Sequence, residues 1–330
     1  MMFPPEILYR DSSGFEVGRD LDHCLIMQQD RVIAAFVLAM RDSDCCLIDV
    51  RADEGAHAAW VELMFDHWHQ RAQQRQARAM TGPVGAFAFI TDGVSAEAYA
   101  GESIHIARYP STIVDSFRRR GYVHAWSGTI WGRIGADESF SRSKHERSPN
   151  VRRGTWMNLL STVRVIEHVL STSFSSLPWH RGSGAELSSL ARRYMLVGEP
   201  KLMLTGTANG RPAGAVLMYR DLPNVPGMVR RWPVLLRDIW LFISSRISRA
   251  VHVSVIGIVP EFRNSRLSLA LFDAAASVMA AADSVTTSWI RDDNKASGMM
   301  ARRAGLLPLE RRTVFTKELP FNPFTNGERE

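Results

Sequence analysis

The residues from 252 to 268 combine side chains that could do chemistry with a spacing that predicts their surroundings. His252 and Ser254 lie in the apolar run VHVSVIGIV, which predicts a strand, and Arg263 and Arg266 follow in the loop PEFRNSR. The run SLALFDAAASVMAAAD then predicts a helix. Backbone N–H groups at the start of a helix, together with the helix dipole, stabilise a phosphate group. The junction therefore predicts a phosphate-binding loop between a strand and a helix.

The elements around this junction occur twice in the chain. Residues 30–40, DRVIAAFVLAM, match residues 210–220, GRPAGAVLMYR, without a gap, and each predicts a strand entered through a polar turn. Residues 118–131 match residues 302–315 at nearly the same offset, and each predicts a helix, a glycine and a strand. Two matches in the same order predict a tandem duplication.

A polar stretch separates the two copies. Residues 136–155 are charged, with few large apolar side chains, and predict a linker or an exposed crossing. This stretch would join a first domain, residues 1–135, to a second domain, residues 156–330, which carries the loop. Strands alternate with helices in each half. The chain therefore predicts an α/β (α+β layered) fold of two domains, each a mixed twisted sheet flanked by helices.

The composition favours a phosphorylated or acidic partner and a reducing compartment. The 330 residues carry a formal net charge of +6 and a pI near 9.5. Three cysteines, two of them adjacent, argue against a disulfide framework, and no Cys or His cluster has zinc spacing. No signal-peptide pattern opens the chain, and the most apolar run, residues 234–243, is short and interrupted by charges. We expect a cytoplasmic protein without a membrane partner or a metal.

The second half resembles the GNAT acyltransferase superfamily, whose members move an acyl group from coenzyme A to an amine. The resemblance rests on Val259-Pro260 at the end of a strand, Arg263 in the loop, Asn294 about thirty residues later and Gly305 before the last strand. The segments SWIRDDN, GPVGAF, GEPKLML and PEFRN further resemble an uncharacterised bacterial group of tandem GNAT proteins with a degenerate N-terminal copy. In that group the stretch 230–249 is also an insertion; its spacing predicts a helix, either a cap over a partly apolar acceptor or a packing helix.

The resemblance implies acetyl-CoA or another acyl-CoA as co-substrate. The two glycines of the family's loop are replaced by Arg266 and Ser268. Ser268 could cap the helix or donate to phosphate, whereas Arg266 could obstruct the loop, clamp the pyrophosphate, or lie in solvent at an ordinary helix start. The residues expected to contact the coenzyme are Ile256, Ile258, Val259, Arg263, Asn264, Ser265, Arg266, Leu267, Ser268 and, on the pantetheine side, Asn294.

The equivalent junction of the first copy has the opposite charge. Asp53 and Glu54 lie near the predicted start of its helix, in IDVRADEGAHAAW. Carboxylates stabilise a helix N-terminus but repel a pyrophosphate there. We expect no coenzyme in this half, and a structural role for it.

The groups that members of the family often use for proton transfer are absent from their expected places. The strand before the loop carries no glutamate, and the position of the family's tyrosine holds Ala301. His252, whose side chain titrates near neutral pH, and Asp293 are the catalytic candidates, with Ser254, Asp292 and Glu186 as further possibilities. Backbone amides from Ile256 to Ile258 could hold the oxyanion, and Gly257 predicts a bulge or a close approach of the ligand.

Three functions follow in order of preference. The first is an N-acyltransferase that acts on an amine of a small molecule, and we expect it to be an N-acetyltransferase. The alternative is an acyl-CoA-binding or scaffolding protein that kept the fold and lost the reaction. A third possibility is that a carrier protein or an aminoacyl-tRNA supplies the acyl group, which the positive net charge would favour.

Overall fold

A computed structural model describes most of the chain. It covers residues 6–9, 21–28, 31–41, 43–52, 59–84, 111–134, 150–173, 199–222, 226–230, 232–263 and 265–320. Within these ranges no helix is long and apolar enough to cross a membrane.

The first half contributes six strands and two helices to the described structure. They are β1 (Glu6–Tyr9), β2 (Leu21–Gln28), β3 (Arg31–Arg41), β4 (Asp44–Ala52), α1 (Ala59–Gln74), β5 (Ala79–Gly82), α2 (Ser111–Arg119) and β6 (Val123–Ile134). Helix α1 follows from the apolar spacing of Trp60, Met64 and Trp68, which are buried together with Phe117 of α2 in one core.

The second half repeats this order with an insertion. Its elements are β7 (Val151–Arg153), α3 (Leu159–Ser173), β8 (Met203–Ala208), β9 (Arg211–Arg220), α4 (Gly227–Arg230), α5 (Val234–Ile247), β10 (Ala250–Ile258), α6 (Arg266–Ala280), β11 (Ser284–Thr287), β12 (Ile290–Arg291), α7 (Lys295–Arg303) and β13 (Leu307–Glu318). Short 3₁₀ turns precede β8, at Pro200–Leu202, and α6, at Pro260–Phe262.

The internal repeat predicted from the sequence is present in the structure. Strands β3 and β9 begin at the matched residues Arg31 and Arg211. Gly121 and Gly305, also matched, both have a positive φ, 75° and 69°, where a helix ends before a final long strand. That conformation favours glycine, which explains why both copies keep it.

The strands form a single 13-stranded mixed sheet in which the two copies exchange their last strands. The order is β1-β2-β3-β4-β5-β13-β6-β11-β10-β9-β8-β7, with β12 also paired to β6. Strand β13 of the second copy therefore lies between β5 and β6 of the first. Strand β6 of the first copy lies against β13, β11 and β12, all of the second.

Helices cover both faces of the sheet around β9 and β10. Val251 and Val253 of β10 pack with α6, whereas Val255 and Val259 pack with α3. On β9, Val216 and Met218 face α6 and Ala215, Leu217 and Tyr219 face α3. Alternate residues of a strand point to opposite faces, so α3 and α6 lie on opposite faces.

Two predicted segments are only partly described. Of the stretch 136–155, residues 150–155 are described, and Val151–Arg153 form the edge strand β7 paired to β8. Residues 136–149 lie outside the described residues, and the division into domains at 1–135 and 156–330 stays a prediction. The insertion 230–249 contains a helix, as predicted, at Val234–Ile247. Asp53 and Glu54 also lie outside the described residues.

Candidate active site between strands β10 and β11

Strands β10 and β11 run parallel and then part. They pair from Ala250↔Ser284 to Val253↔Thr287, and the Ser288 N–H donates to the Val253 carbonyl at 2.9 Å. Beyond that bond β10 continues alongside β9 as far as Ile258. The segment after β11 turns away from β10 and pairs, as β12, with β6. The result is a gap in the sheet beside residues 254–258.

A bulge decides which backbone groups of β10 face this gap. The pairing of β10 with β9 shifts between Val253 and Val255, which places the bulge at Ser254. The Val259 N–H donates to the Ala213 carbonyl of β9 at 3.0 Å. Main-chain groups alternate in direction along a strand, so those of Ile256 and Ile258 point away from β9, towards the gap.

Gly257 serves helix packing, not the bulge. A Cβ added to Gly257 would lie 3.1 Å from Leu170 Cδ2 and 3.4 Å from Val169 Cγ1, both on α3. The predicted bulge is three residues earlier, at Ser254, because the irregularity falls where β10 leaves β11. Within the described structure the element that approaches Gly257 closely is α3, and the predicted approach of a ligand stays a prediction.

The loop after β10 closes on the start of α6 through two serines. Ser265 is the N-cap, and its Oγ accepts from the Leu267 N–H at 3.2 Å. The Ser268 hydroxyl donates to the Ser265 carbonyl at 2.7 Å. The cap is therefore Ser265, since Ser268 lies three residues too far along. Leu267 is buried in the core, so only its backbone can face a ligand.

The two arginines of the loop differ in their contacts. Arg263 Nη2 donates to the Ser173 carbonyl at 2.9 Å, and its Nε lies 3.4 Å from the Ile258 carbonyl, so it ties the loop to the end of α3. Arg266 is exposed and makes no hydrogen bond or ion pair with another described residue. Asn264 lies outside the described residues.

The start of α6 can hold a phosphate group, but with fewer amides than a glycine loop would offer. The N–H groups of Leu267 and Ser268 already bond to Ser265. The Arg266 N–H makes no such bond within the described structure. One backbone amide, the Arg266 guanidinium and the positive end of a 15-residue helix therefore remain to meet an anion.

His252 lies in a buried chain of hydrogen bonds on the α3 face of the sheet. It is 2% exposed; its Nδ1 lies 2.9 Å from Thr286 Oγ1 and its Nε2 lies 3.1 Å from Ser288 Oγ. The Thr286 hydroxyl donates to Asp221 Oδ2 at 2.9 Å, and Asp221 is also buried. The chain therefore runs from Asp221 through Thr286 and His252 to Ser288.

Sequence reasoning found His252 but missed the other three residues of this hydrogen-bond chain. Thr286 and Ser288 stand two apart in VTTSW, so they share one face of a strand. That signal becomes useful only once β11 is known to pair in parallel with β10, with His252 opposite Thr286.

The remaining predicted residues lie at the start of α7. Asn294 is its N-cap, and the Oδ1 atom accepts from the Ser297 N–H at 3.1 Å. Asp293 is exposed and paired with Arg291 at 2.5 Å, and Asp292 pairs with Arg311 at 2.8 Å. Ser254 occupies the bulge, and Glu186 lies outside the described residues. His252 and Asp293 are thus in different surroundings, one buried and one in solvent.

A buried ion pair also lies on the central strand β13. Arg312 Nε donates to Glu310 Oε1 at 3.0 Å, and both side chains are almost fully buried. Glu310 Oε2 has no hydrogen-bond partner within the described structure. Nothing in the sequence pattern predicts this pair, because RR at 311–312 looks like an ordinary solvated run.

A cavity of about 390 Å³ lies elsewhere, between α1 of the first half and β13 of the second. Its charged groups contact one another: Arg120 pairs with Asp66 at 2.7 Å, and Lys317 donates to the Arg120 carbonyl at 2.8 Å. Among the described side chains, no group of three or more His, Cys, Asp or Glu is placed to hold a metal ion.

Most of the chain resembles solved structures, two of which have the following similarities. A GCN5-related N-acetyltransferase from Sphaerobacter thermophilus is 13% identical with a TM-score of 0.50, and the match covers 94% of this chain and 84% of that one. A tandem GNAT protein from the clavulanic acid biosynthesis pathway is 15% identical with a TM-score of 0.50, covering 90% of this chain and 82% of that one.

These likenesses establish the fold. The chain has the mixed α/β GNAT fold in a tandem arrangement, as the sequence resemblance predicts. No protein-family model matches the chain. No curated protein matches it either.

Proposed function

We propose that this chain, which has the tandem GNAT fold, is an N-acyltransferase that moves an acyl group, in the first place acetyl, from acyl-CoA to an amine of a small molecule. One observation carries the proposal: a gap between β10 and β11 leads from the capped start of α6 to a buried histidine. It combines a place for phosphate, a path for an extended arm and a group that exchanges protons.

The charges and backbone directions around the gap support acyl-CoA as the donor. The exposed Arg266 and the start of α6 suit the pyrophosphate. The backbones of Ile256 and Ile258 face the gap, where they can pair with the amides of the pantetheine arm or hold the oxyanion of the tetrahedral intermediate. The sequence resemblance also assigns Asn294 and Val259 to the residues that contact the coenzyme.

The reaction needs a proton acceptor for the attacking amine and a proton for the leaving thiolate. His252 suits this task better than Asp293. Its ring nitrogens are bonded to hydroxyl groups that can pass a proton, whereas the Asp293 carboxylate is exposed and already paired with Arg291.

A second function, acyl-CoA binding without turnover, is favoured by the start of α6. Two of its backbone N–H groups donate to Ser265 and are therefore not available to a phosphate, and Arg266 replaces a glycine. Binding would then depend on Arg266 in either case, but only the enzyme would release coenzyme A.

Charge reversal at Arg266 tests donor binding. Acetyl-CoA is expected to raise the melting temperature of the native chain, and Arg266→Glu is expected to abolish the rise, because the only unpaired guanidinium of the loop within the described structure becomes an anion. Arg118→Glu makes the same charge change on an exposed residue of α2 and should keep the rise. No rise with acetyl-CoA or longer acyl-CoAs would contradict the proposal, and an equal loss in both variants would remove the loop from it.

Thiol release separates the enzyme from the binder. Native protein with acetyl-CoA and a panel of primary amines is expected to release coenzyme A, which a disulfide reagent detects. The protein's own thiols are free and buried, and burial raises the pKa of Cys24 to about 12 and of Cys45 to about 11, so they react slowly. Binding without thiol release would favour the second function, and salt-sensitive binding of an acidic carrier protein or an RNA would favour a macromolecular donor.

A further inference from the structure

The buried hydrogen-bond chain has a defined placement of protons. The single proton of the Thr286 hydroxyl goes to the Asp221 carboxylate, which can only accept. Thr286 Oγ1 must then accept from His252 Nδ1, and when the ring is neutral Nδ1 carries its one proton. The other nitrogen, Nε2, is left to accept from the Ser288 hydroxyl. Asp221 thus orients His252 through Thr286, and His252 polarises Ser288.

The hydrogen-bond chain ends at Ser288, where the gap begins. The Ser288 N–H makes the last bond between the two strands, to Val253, and the gap opens beside the next residues of β10. From Val253 to Ile258 the strand advances roughly 16 Å at about 3.3 Å per residue. That length is comparable with an extended pantetheine arm. An acyl-CoA with its pyrophosphate at α6 would therefore bring its thioester to the level of Ser288.

The side chains of the hydrogen-bond chain lie on one face of the sheet, as a proton relay requires. His252 points to the α3 face, since Val251 and Val253 on either side of it pack with α6. Ser288 and Thr286 are hydrogen-bonded to it on that same face. Three neighbouring strands build the hydrogen-bond chain, because Asp221 follows β9, His252 is on β10 and Thr286 is on β11.

We propose that Ser288 is the residue that exchanges protons with the substrates, and that His252, Thr286 and Asp221 are positioning residues acting through it. The inference rests on the proposed function. A hydroxyl has two lone pairs beside its proton, so Ser288 Oγ can accept from the amine while it donates to His252.

The step balances without a further reactant. The amine nitrogen bonds to the thioester carbon, and its excess proton passes to Ser288 Oγ as the Ser288 proton passes to His252 Nε2. The imidazolium so formed is stabilised by the Asp221 carboxylate through Thr286. When the C–S bond breaks, the proton returns by the same route to the thiolate, which leaves an amide and coenzyme A.

Turnover of matched variants tests this role. Ser288→Ala is expected to lower kcat for acetyl-CoA and the accepted amine by about 10²–10⁴-fold, the range for a lost proton-transfer group, and to leave the KM for acetyl-CoA within about twofold. Thr286→Val should also lower kcat, whereas Thr286→Ser, which keeps the hydroxyl, should restore it. Unchanged kcat in Ser288→Ala, or equal loss in both Thr286 variants, would overturn the inference.

A spectroscopic measurement decides the inference separately from turnover. In the native chain with ¹⁵N-labelled histidine, the His252 signals, assigned with His252→Gln, should show a proton on Nδ1 and an unprotonated Nε2. Acetyl-CoA should shift the Nε2 signal, and Ser288→Ala should remove that response. A proton on Nε2, or bound acetyl-CoA with an unmoved Nε2 signal, would overturn the inference while leaving the proposed donor intact. Absence of acetyl-CoA binding would instead contradict the proposed function, and the tautomer would still test the relay.

Discussion

At the scale of single residues, His67 of α1 lies half-buried against the core. Its Nε2 lies 3.4 Å from Cys24 Sγ, and its ring centroid lies 5.8 Å from that of Phe36. Burial, and then the nearby Arg71 guanidinium, lower the pKa of His67 below its ordinary value of 6.5. Folding therefore opposes protonation of this ring.

The consequence is a pH-dependent stability. Because the unfolded imidazole takes up its proton at higher pH than the folded one, the unfolded state binds more protons as the pH falls through about 6.5, and the free energy of unfolding falls with it. Above the unfolded pKa the native state is not penalised. Urea unfolding at a pH of about 7.5 and of about 5.5 should show a smaller loss for His67→Gln than for the native chain. An equal loss of stability in His67→Gln and in the native chain would contradict the assignment.

At the scale of elements, glycines mark where neighbouring elements come close. Gly128 of β6 lies beneath Trp289, the residue after Ser288, and a Cβ there would lie 1.9 Å from the indole Cε3. Trp289 also packs on Ile130 of the same strand. Gly128 thus lets the segment after β11 lie flat on β6 and fixes its direction away from β10, which opens the gap.

Substitution of two glycines should have opposite effects. Gly128→Ala forces Trp289 to move and is expected to destabilise the protein by about 1–3 kcal/mol, as overpacking does. Gly298→Ala lies within α7 with nothing within 4 Å of its new Cβ, so it should stabilise by about 0.5–1 kcal/mol. Chemical denaturation measures both. A neutral Gly128→Ala would mean that the indole has room to shift.

Local elements were predictable from the sequence, and contacts between distant strands were not. The strand, loop and helix around Arg263, the helix α1 and the two helix–Gly–strand endings all follow from short-range patterns. The bulge at Ser254 and the partners of His252 depend on how β10 meets β9 and β11. No periodicity within one strand encodes such a register, which is set by the turns and by the packing of both faces.

At the scale of the whole molecule, the exchanged strands join the two copies more tightly than a linker would. Both neighbours of β6, β13 and β11, belong to the second copy, and β13 is also the neighbour of β5. Phe315 of β13 is part of the core formed by α1 and α2, stacked on Phe117 with ring centroids 4.8 Å apart. Each half completes the sheet of the other.

Separation of the halves should therefore fail. Fragments 1–135 and 156–330, expressed alone, are expected to lack a cooperative thermal transition, because each would expose unpaired strand edges and an open core. Produced together, they should associate and recover the circular dichroism spectrum and thermal transition of the intact chain. A fragment 1–135 that unfolds cooperatively as a monomer would show that β6 needs neither of its neighbours.

The exchange of strands also delays the completion of the sheet during translation. Strand β6 ends at residue 134, whereas β13 begins at residue 307. At about 5–20 residues per second, the newly made β5 and β6 wait roughly ten to thirty seconds before the strand that separates them has been translated. Throughout that interval the nascent chain carries strand edges with unpaired N–H and C=O groups, so its synthesis should depend on chaperone protection and benefit from slower initiation, which spaces neighbouring ribosomes and keeps these edges apart.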